Sequence, residues 1–187
     1  IIVFSAAFVI VALLYTAVFS TKHVRQSSKQ DTLMKRQHLI VEKVSCLFGK
    51  PSRGDVIVFI ENRRQYNYWD RVSIFLVDIS EIFKPVGQKT NIRLVKRVIG
   101  VPGDTIDIRG GKVFRNGEPL DEPYAKGATY KRELDFPVTV PEGKYFVLGD
   151  NREISKDSRS FGFIDHTQVE GKAIFRFWPF SEMGIIH

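Results

Sequence analysis

Leu94-Val95-Lys96-Arg97-Val98-Ile99-Gly100-Val101-Pro102-Gly103-Asp104 is the stretch whose reading decides how this chain folds. As a strand it alternates its side chains between two faces, with Leu94, Lys96 and Val98 on one and Val95, Arg97 and Ile99 on the other. Gly100, Pro102 and Gly103 then end the strand in a turn. Lys96 therefore has an apolar neighbour on each side along its own face. Such a lysine either carries its ammonium to water along its aliphatic stem, or stays buried and gives up its proton, which makes it a base. A lysine of pKa ~10.4 is well under ~1% neutral at pH 8, and lowering it by roughly three units costs about 4 kcal/mol. Activation of a serine nucleophile is the usual use of a lysine so perturbed.

Working outward, the pattern is β on both sides. Thr105 to Arg109, a Gly110-Gly111 turn and Lys112 to Arg115 predict a hairpin, and Asn116-Gly117 a second tight turn. Residues 118–137 are rich in proline, glycine and charge, which predicts a mobile lobe or loop. Pro141-Glu142-Gly143 turns into a strand over Lys144 to Leu148, and a last strand runs from Gly171 to Trp178, ahead of Pro179. Upstream, His38 to Lys43 reads as a strand, and Pro51 to Asp55 as a turn into Val56 to Ile60, an apolar run suited to a buried strand. Arg53-Gly54-Asp55 is better explained as part of that turn than as a recognition triplet. Within residues 61–93, Trp69, Val72, Leu76, Ile79 and Phe83 recur at helical spacing, with Arg71, Asp78 and Glu81 on a polar side. A helix there either covers the core or lies on lipid.

Residues Ile1 to Ser20 carry no charge. Twenty helical residues span ~30 Å, the hydrocarbon thickness of a bilayer. A cleaved targeting segment would have a shorter apolar core, ~7–15 residues, and a small-x-small cleavage site. The run ends Val18-Phe19-Ser20, so a retained membrane anchor is expected. Lys22, Arg25 and Lys29 follow it. A polar loop then runs from Val24 to Leu33, and Ser28 lies at most ~28 Å from the end of the anchor.

The 187 residues suit one domain with room for a small extra lobe. One cysteine, Cys46, excludes an internal disulfide and reads as a buried thiol. His23, His38, His166 and His187 are scattered, without metal-ligand spacing, so neither a metal nor a cofactor is expected. The net charge of +7 suits nucleic acid or an anionic membrane surface. No nucleic-acid motif accompanies it, which favours membrane lipid as the partner.

Gly149-Asp150-Asn151-Arg152-Glu153-Ile154-Ser155-Lys156-Asp157-Ser158-Arg159-Ser160-Phe161-Gly162 closely resembles the last signature of bacterial type I signal peptidases, the leader peptidases. Lys96 to Asp104 resembles that family's lysine signature, and Arg53 to Phe59 the strand signature before it. Asn116-Gly117, Glu122-Pro123-Tyr124, Pro141-Glu142-Gly143 and Trp178-Pro179-Phe180 fall in family order. The resemblance implies a mainly β, signal-peptidase-type catalytic domain with an N-terminal transmembrane helix. The anchor would be residues 1–20 and the extracytoplasmic domain 21–187, with an atypical insertion at 61–93 and a small β lobe over 105–140. The protein would sit in the cytoplasmic membrane as a single-pass serine endopeptidase. It would remove signal peptides from secreted preproteins with a Ser-Lys dyad.

By the same resemblance Ser28 is the nucleophile, Lys96 its general base and Ser155 the serine that hydrogen-bonds the lysine. Asp157 and Arg159 are the pair that stiffens the loop. The oxyanion hole would use the Ser28 N–H and a donor from Gln26. Val24, Leu33, Leu94 and Val95 would line shallow substrate pockets, with Lys29 replacing an apolar wall. The serine segment Ser28-Lys29-Gln30-Asp31-Thr32-Leu33 departs from the family at Lys29, where methionine is expected, and at Asp31, where proline is expected. These departures and the 61–93 insertion raise an alternative: a specialised accessory protein for one client, such as a pilin precursor, with weak or no peptidase activity.

Overall fold

The computed structural model describes residues 19–24, 37–43, 45–46, 49–60 and 93–186. Two antiparallel sheets form their framework. The larger contains β1 (Phe19–Val24), β2 (Gln37–Glu42), β3 (Val56–Ile60), β4 (Arg93–Gly100), β9 (Lys144–Leu148), β10 (Ile164–Asp165), β11 (Val169–Trp178) and β12 (Gly184–Ile185). Its order is β1-β2-β11-β3-β4-β9-β10, with β12 paired to β11. The smaller, of order β7-β6-β5-β8, contains β5 (Thr105–Arg109), β6 (Lys112–Arg115), β7 (Glu118–Pro119) and β8 (Val138–Thr139).

The strands expected from sequence at 56–60, 105–109, 112–115 and 144–148 occur with those bounds, and the last strand begins two residues earlier, at Val169. The stretch expected to close a membrane helix differs. Phe19 and Ser20 open β1, paired opposite Glu42 and Val41, and Val24 ends it opposite Gln37. The backbone hydrogen bonds of residues 19–24 are thus spent on β2. The rest of the anchor, 1–18, lies outside the described residues, as do 25–36 of the serine segment and 61–92 of the insertion. Among the described residues no helix is long and apolar enough to cross a membrane.

β4 runs between β3 and β9, with Lys96 opposite Ile57 and Arg97 opposite both Val56 and Leu148. Strict alternation sends its side chains into different cores. Leu94 and Val98 pack with Ile57, Phe59, Tyr145 and Val147, a cluster that also holds the buried Cys46. On the other face Val95 packs with Leu39, Val41 and Val58. Ile99 meets Ile106, Val113, Phe146 and Leu148, joining the two sheets. A sheet buried on both faces accounts for the continuous apolar runs at 56–60 and 145–148. Although three strands separate β1 from β4 in the sheet order, their Cα atoms approach within 8 Å, so the sheet curls and brings its first strand toward the lysine strand.

The Arg53-Gly54-Asp55 turn is a fastening between strands. Arg53 donates to both carboxylate oxygens of buried Asp104, at 2.8 and 2.7 Å. Asp104 also accepts from the Val101 N–H at 3.0 Å and from Asn116 at 2.8 Å. Burial works to raise the Asp104 pKa, but the Arg53, Val101 and Asn116 hydrogen bonds outweigh it and hold the carboxyl below its usual range.

Candidate active site

Lys96, on β4, and Ser155 are 59 positions apart and meet across the face of the larger sheet. The Lys96 Nζ donates to the Ser155 Oγ at 2.8 Å. Along β4 the amine is flanked by Leu94 and Val98 on its own face and faces Ile57 across the ladder. Ser155 comes from the loop that leaves β9 at Gly149. This loop turns through Asn151–Ile154 and re-enters regular structure at α1 (Ser158–Phe161). A Cβ at Gly149 would stand 2.0 Å from the Ser155 Oγ and 3.3 Å from the Lys96 Nζ. Glycine is required there because the backbone itself forms the wall behind the pair.

The loop is held by charges taken out of water. Asp157 and Arg159, 0% and 1% exposed, form an ion pair with Nε–Oδ1 at 2.8 Å and Nη2–Oδ2 at 2.9 Å. Asp157 also accepts from the Gly149 N–H at 3.1 Å, and Arg159 donates to the Arg152 carbonyl at 2.7 Å. Burial alone would raise the Asp157 pKa. The hydrogen bonds and charge of Arg159, with bonds from the Gly149 N–H and Ser155, outweigh it and keep the carboxyl ionised below its usual range. Ser158 accepts from the Val147 N–H at 2.9 Å, tying the far end of the loop back to β9.

A second charged group lies on the other face of β4. Buried Arg97 donates to both oxygens of Asp150, at 3.0 and 2.9 Å, and to the Gly54 carbonyl at 2.9 Å. Its guanidinium lies 4.0 Å from the Tyr124 ring centre. Burial, with help from the Glu122 charge, pushes the Tyr124 hydroxyl up to about 12, so it stays protonated and donates to Glu122 at 3.0 Å. Glu122 in turn accepts two bonds from Arg152, at 2.9 and 2.7 Å. Arg97 is paired because a buried charge without a partner is costly. Nothing in the spacing identified that partner as Asp150, or Glu122 as the partner of Arg152.

The sequence-expected residues Ser28, Gln26, Lys29 and Leu33 lie outside the described residues. Leu94 shares the Lys96 face, whereas Val95 lies on the opposite face, packed against the Val58 cluster. A profile of the family described as "Signal peptidase, peptidase S26" matches residues 1–178. The chain belongs to this signal peptidase family. It is 35% identical over 172 residues to "Signal peptidase I" of Leptolyngbya laminosa, covering 90% of this chain and 73% of that one. It is 33% identical over 198 residues to "Signal peptidase IB" of Staphylococcus aureus strain COL, covering 97% and 90% respectively. Among solved structures it is similar to a signal peptidase I from Enterococcus faecalis V583, with 34% identity and a TM-score of 0.45, covering 66% of this chain and 96% of that one. As a member of the family the chain is a peptidase.

Proposed function

We propose that this signal peptidase family member is a membrane-anchored serine endopeptidase that removes signal peptides from secreted preproteins with Ser28 and Lys96. The observation that carries the reading is the 2.8 Å bond from Lys96 to Ser155, on a strand face lined by Leu94 and Val98, in a chain that matches the family over residues 1–178. An N–H spent on Ser155 leaves the lone pair of a neutral amine to accept a proton from a second hydroxyl. Ser28 is four residues past Val24, within ~14 Å of extended chain, and β1, which Val24 ends, approaches β4.

In the proposed reaction the Ser28 Oγ attacks the carbonyl carbon before the scissile bond as its proton passes to the Lys96 Nζ. The oxyanion is met by the Ser28 N–H and a donor from Gln26. The ammonium returns the proton to the leaving amine, and Lys96 then takes a proton from the water that hydrolyses the acyl-enzyme. Val24, Lys29, Leu33, Leu94 and Val95 surround the residues before the cut. Residues 1–18 hold the catalytic domain at the outer surface of the cytoplasmic membrane.

Cleavage of a small-x-small signal peptide in detergent tests this. Ser28→Ala and Lys96→Ala should each reduce turnover to background with the fold intact, and wild-type turnover should rise with pH into the mildly alkaline range. Near-normal turnover by either variant overturns the dyad.

A further inference from the structure

The stretch 122–134, within the 118–137 segment expected from its composition to be a mobile lobe or loop, is laced onto the loop that carries Ser155. At its start the Lys126 N–H donates to the Asp150 carbonyl at 2.7 Å and the Arg152 N–H to the Lys126 carbonyl at 2.9 Å. Gly127, with φ of +80°, approaches so closely that a Cβ there would stand 2.7 Å from the Glu153 side chain. Thr129 accepts from Arg152 at 2.7 Å, and at the far end the Leu134 N–H donates to the Arg159 carbonyl at 3.1 Å. Between these points Arg132 spreads its guanidinium over the turn itself. It donates to the Ser155 carbonyl at 2.7 Å and the Glu153 carbonyl at 2.9 Å, and reaches the Arg152 carbonyl at 3.5 Å.

From this geometry we infer that Arg132 is a positioning residue for the proposed dyad, acting through Ser155 on Lys96. Beyond the single bridge between Asn151 and Lys126, and the Ser155 N–H bond to the Asn151 carbonyl at 3.1 Å, the carbonyls of Arg152, Glu153 and Ser155 need donors from side chains. Arg159 supplies them from within the loop, to the Arg152 carbonyl at 2.7 Å and the Ser155 carbonyl at 3.5 Å. Arg132 supplies them from the other side, with its short bond on the Ser155 carbonyl where Arg159 has its long one. A planar guanidinium reaches several acceptors in one fixed geometry, which a lysine ammonium does not. The two arginines thus grip the residue whose hydroxyl orients the Lys96 amine. Loss of one grip leaves Ser155 near its place but not at it, and about 1 Å of misplacement is worth about 100-fold in rate.

The inference rests on the proposed dyad, and the experiment separates the two. Arg132→Lys keeps the charge and aliphatic stem but loses the fork. Arg132→Ala loses both. Each should lower kcat for a small-x-small signal peptide about tenfold or more while leaving KM within about twofold, as expected when only the reacting geometry changes. Arg109→Ala, which removes an exposed cation elsewhere on the same lobe, should keep wild-type kcat. Under single-turnover conditions with excess enzyme, adding Arg132→Lys to Ser155→Ala should cost little beyond Ser155→Ala alone, because the residue through which Arg132 acts is already gone. Wild-type kcat in Arg132→Lys overturns the inference. So does a full, multiplicative loss in the Ser155→Ala background. If Lys96→Ala retains cleavage, the dyad itself falls. If Lys96→Ala is inactive and Arg132→Lys is normal, only the role of Arg132 falls.

Discussion

Gly149→Ala should disable this enzyme through a single methyl group. Ordinary carbon contacts begin near 3.4 Å, and the added Cβ would lie 2.0 Å from the Ser155 Oγ and 2.5 Å from its Cβ. Ser155 must therefore move by about 1.4 Å or take the strain elsewhere. Little can give, because the Gly149 N–H is bonded to the buried Asp157 and the Gly149 carbonyl accepts from Arg152 at 3.1 Å. The 2.8 Å bond to Lys96 is lost first. Overpacking of this kind costs about 1–3 kcal/mol, which at roughly 2–4 °C per kcal/mol lowers the melting temperature by about 2–12 °C. The catalytic cost is larger in kind: a displacement above about 1 Å predicts a fall in kcat of about 100-fold or more. Signal-peptide cleavage in detergent and thermal unfolding by circular dichroism read the two effects separately. Gly149→Ala with Ser155→Gly removes the clashing atoms, so the melting temperature should recover while activity does not. A Gly149→Ala protein with wild-type kcat would refute the argument that the Gly149 backbone walls the Lys96–Ser155 pair.

Asp157→Asn leaves the buried Arg159 guanidinium without its counter-charge, a change that typically costs about 3–5 kcal/mol. Denaturant unfolding should show a loss of that size, and a loss within error of zero would mean that the pair is not carried as ions. Stability should also depend on pH in one direction. Asp104 and Asp157 both have folded pKa values held below the ordinary carboxylate value, so their contribution is complete at neutral pH and is lost as pH falls through the folded values. The melting temperature should stay flat from pH 7 to about 5 and drop below about pH 4. Asp104→Asn should make that acid limb shallower, and a melting temperature that rises on acidification would contradict both assignments.

The strands were legible because their patterns are local. Val56 to Ile60 and Tyr145 to Leu148 are apolar runs, and each is buried on both faces of a sheet. Ile106 and Ile108 alternate with Asp107, and the hairpin they announce forms. The Lys96–Ser155 contact was legible only through resemblance, since no periodicity relates residues 59 positions apart. The stretch 118–137, read as a lobe or loop, concealed its contacts for a physical reason. Its prolines, glycines and charges are those of a free loop, yet Glu122, Thr129 and Arg132 spend their polar groups on the Ser155 loop. Composition registers charge and has no access to the partner that neutralises it. Phe19 and Ser20 extend an uncharged run, and their place in β1 depends on β2, which lies across a segment that hydropathy does not see.

The Lys96-Arg97 pair shows how strand geometry separates two adjacent cations. Placed on one face, the Arg97 guanidinium and the Lys96 amine would share a desolvated wall, and a carboxylate drawn to one would sit against the other. A carboxylate within ~4–6 Å favours an ammonium, the form that cannot act as a base. The pleat sends Arg97 to the opposite side, where Asp150 binds it through both oxygens and the Tyr124 ring covers it. Asp150, though next to Gly149 behind the lysine, is thereby committed away from the amine. On the Lys96 side the carboxylate of the same loop, Asp157, is saturated by Arg159, by the Gly149 N–H and by Ser155. Each aspartate in the Gly149–Arg159 word thus has its own arginine. The hydroxyl of Ser155 is what the loop offers to the lysine, and a neutral acceptor there orients an amine without supplying the negative charge that would lock a proton onto it.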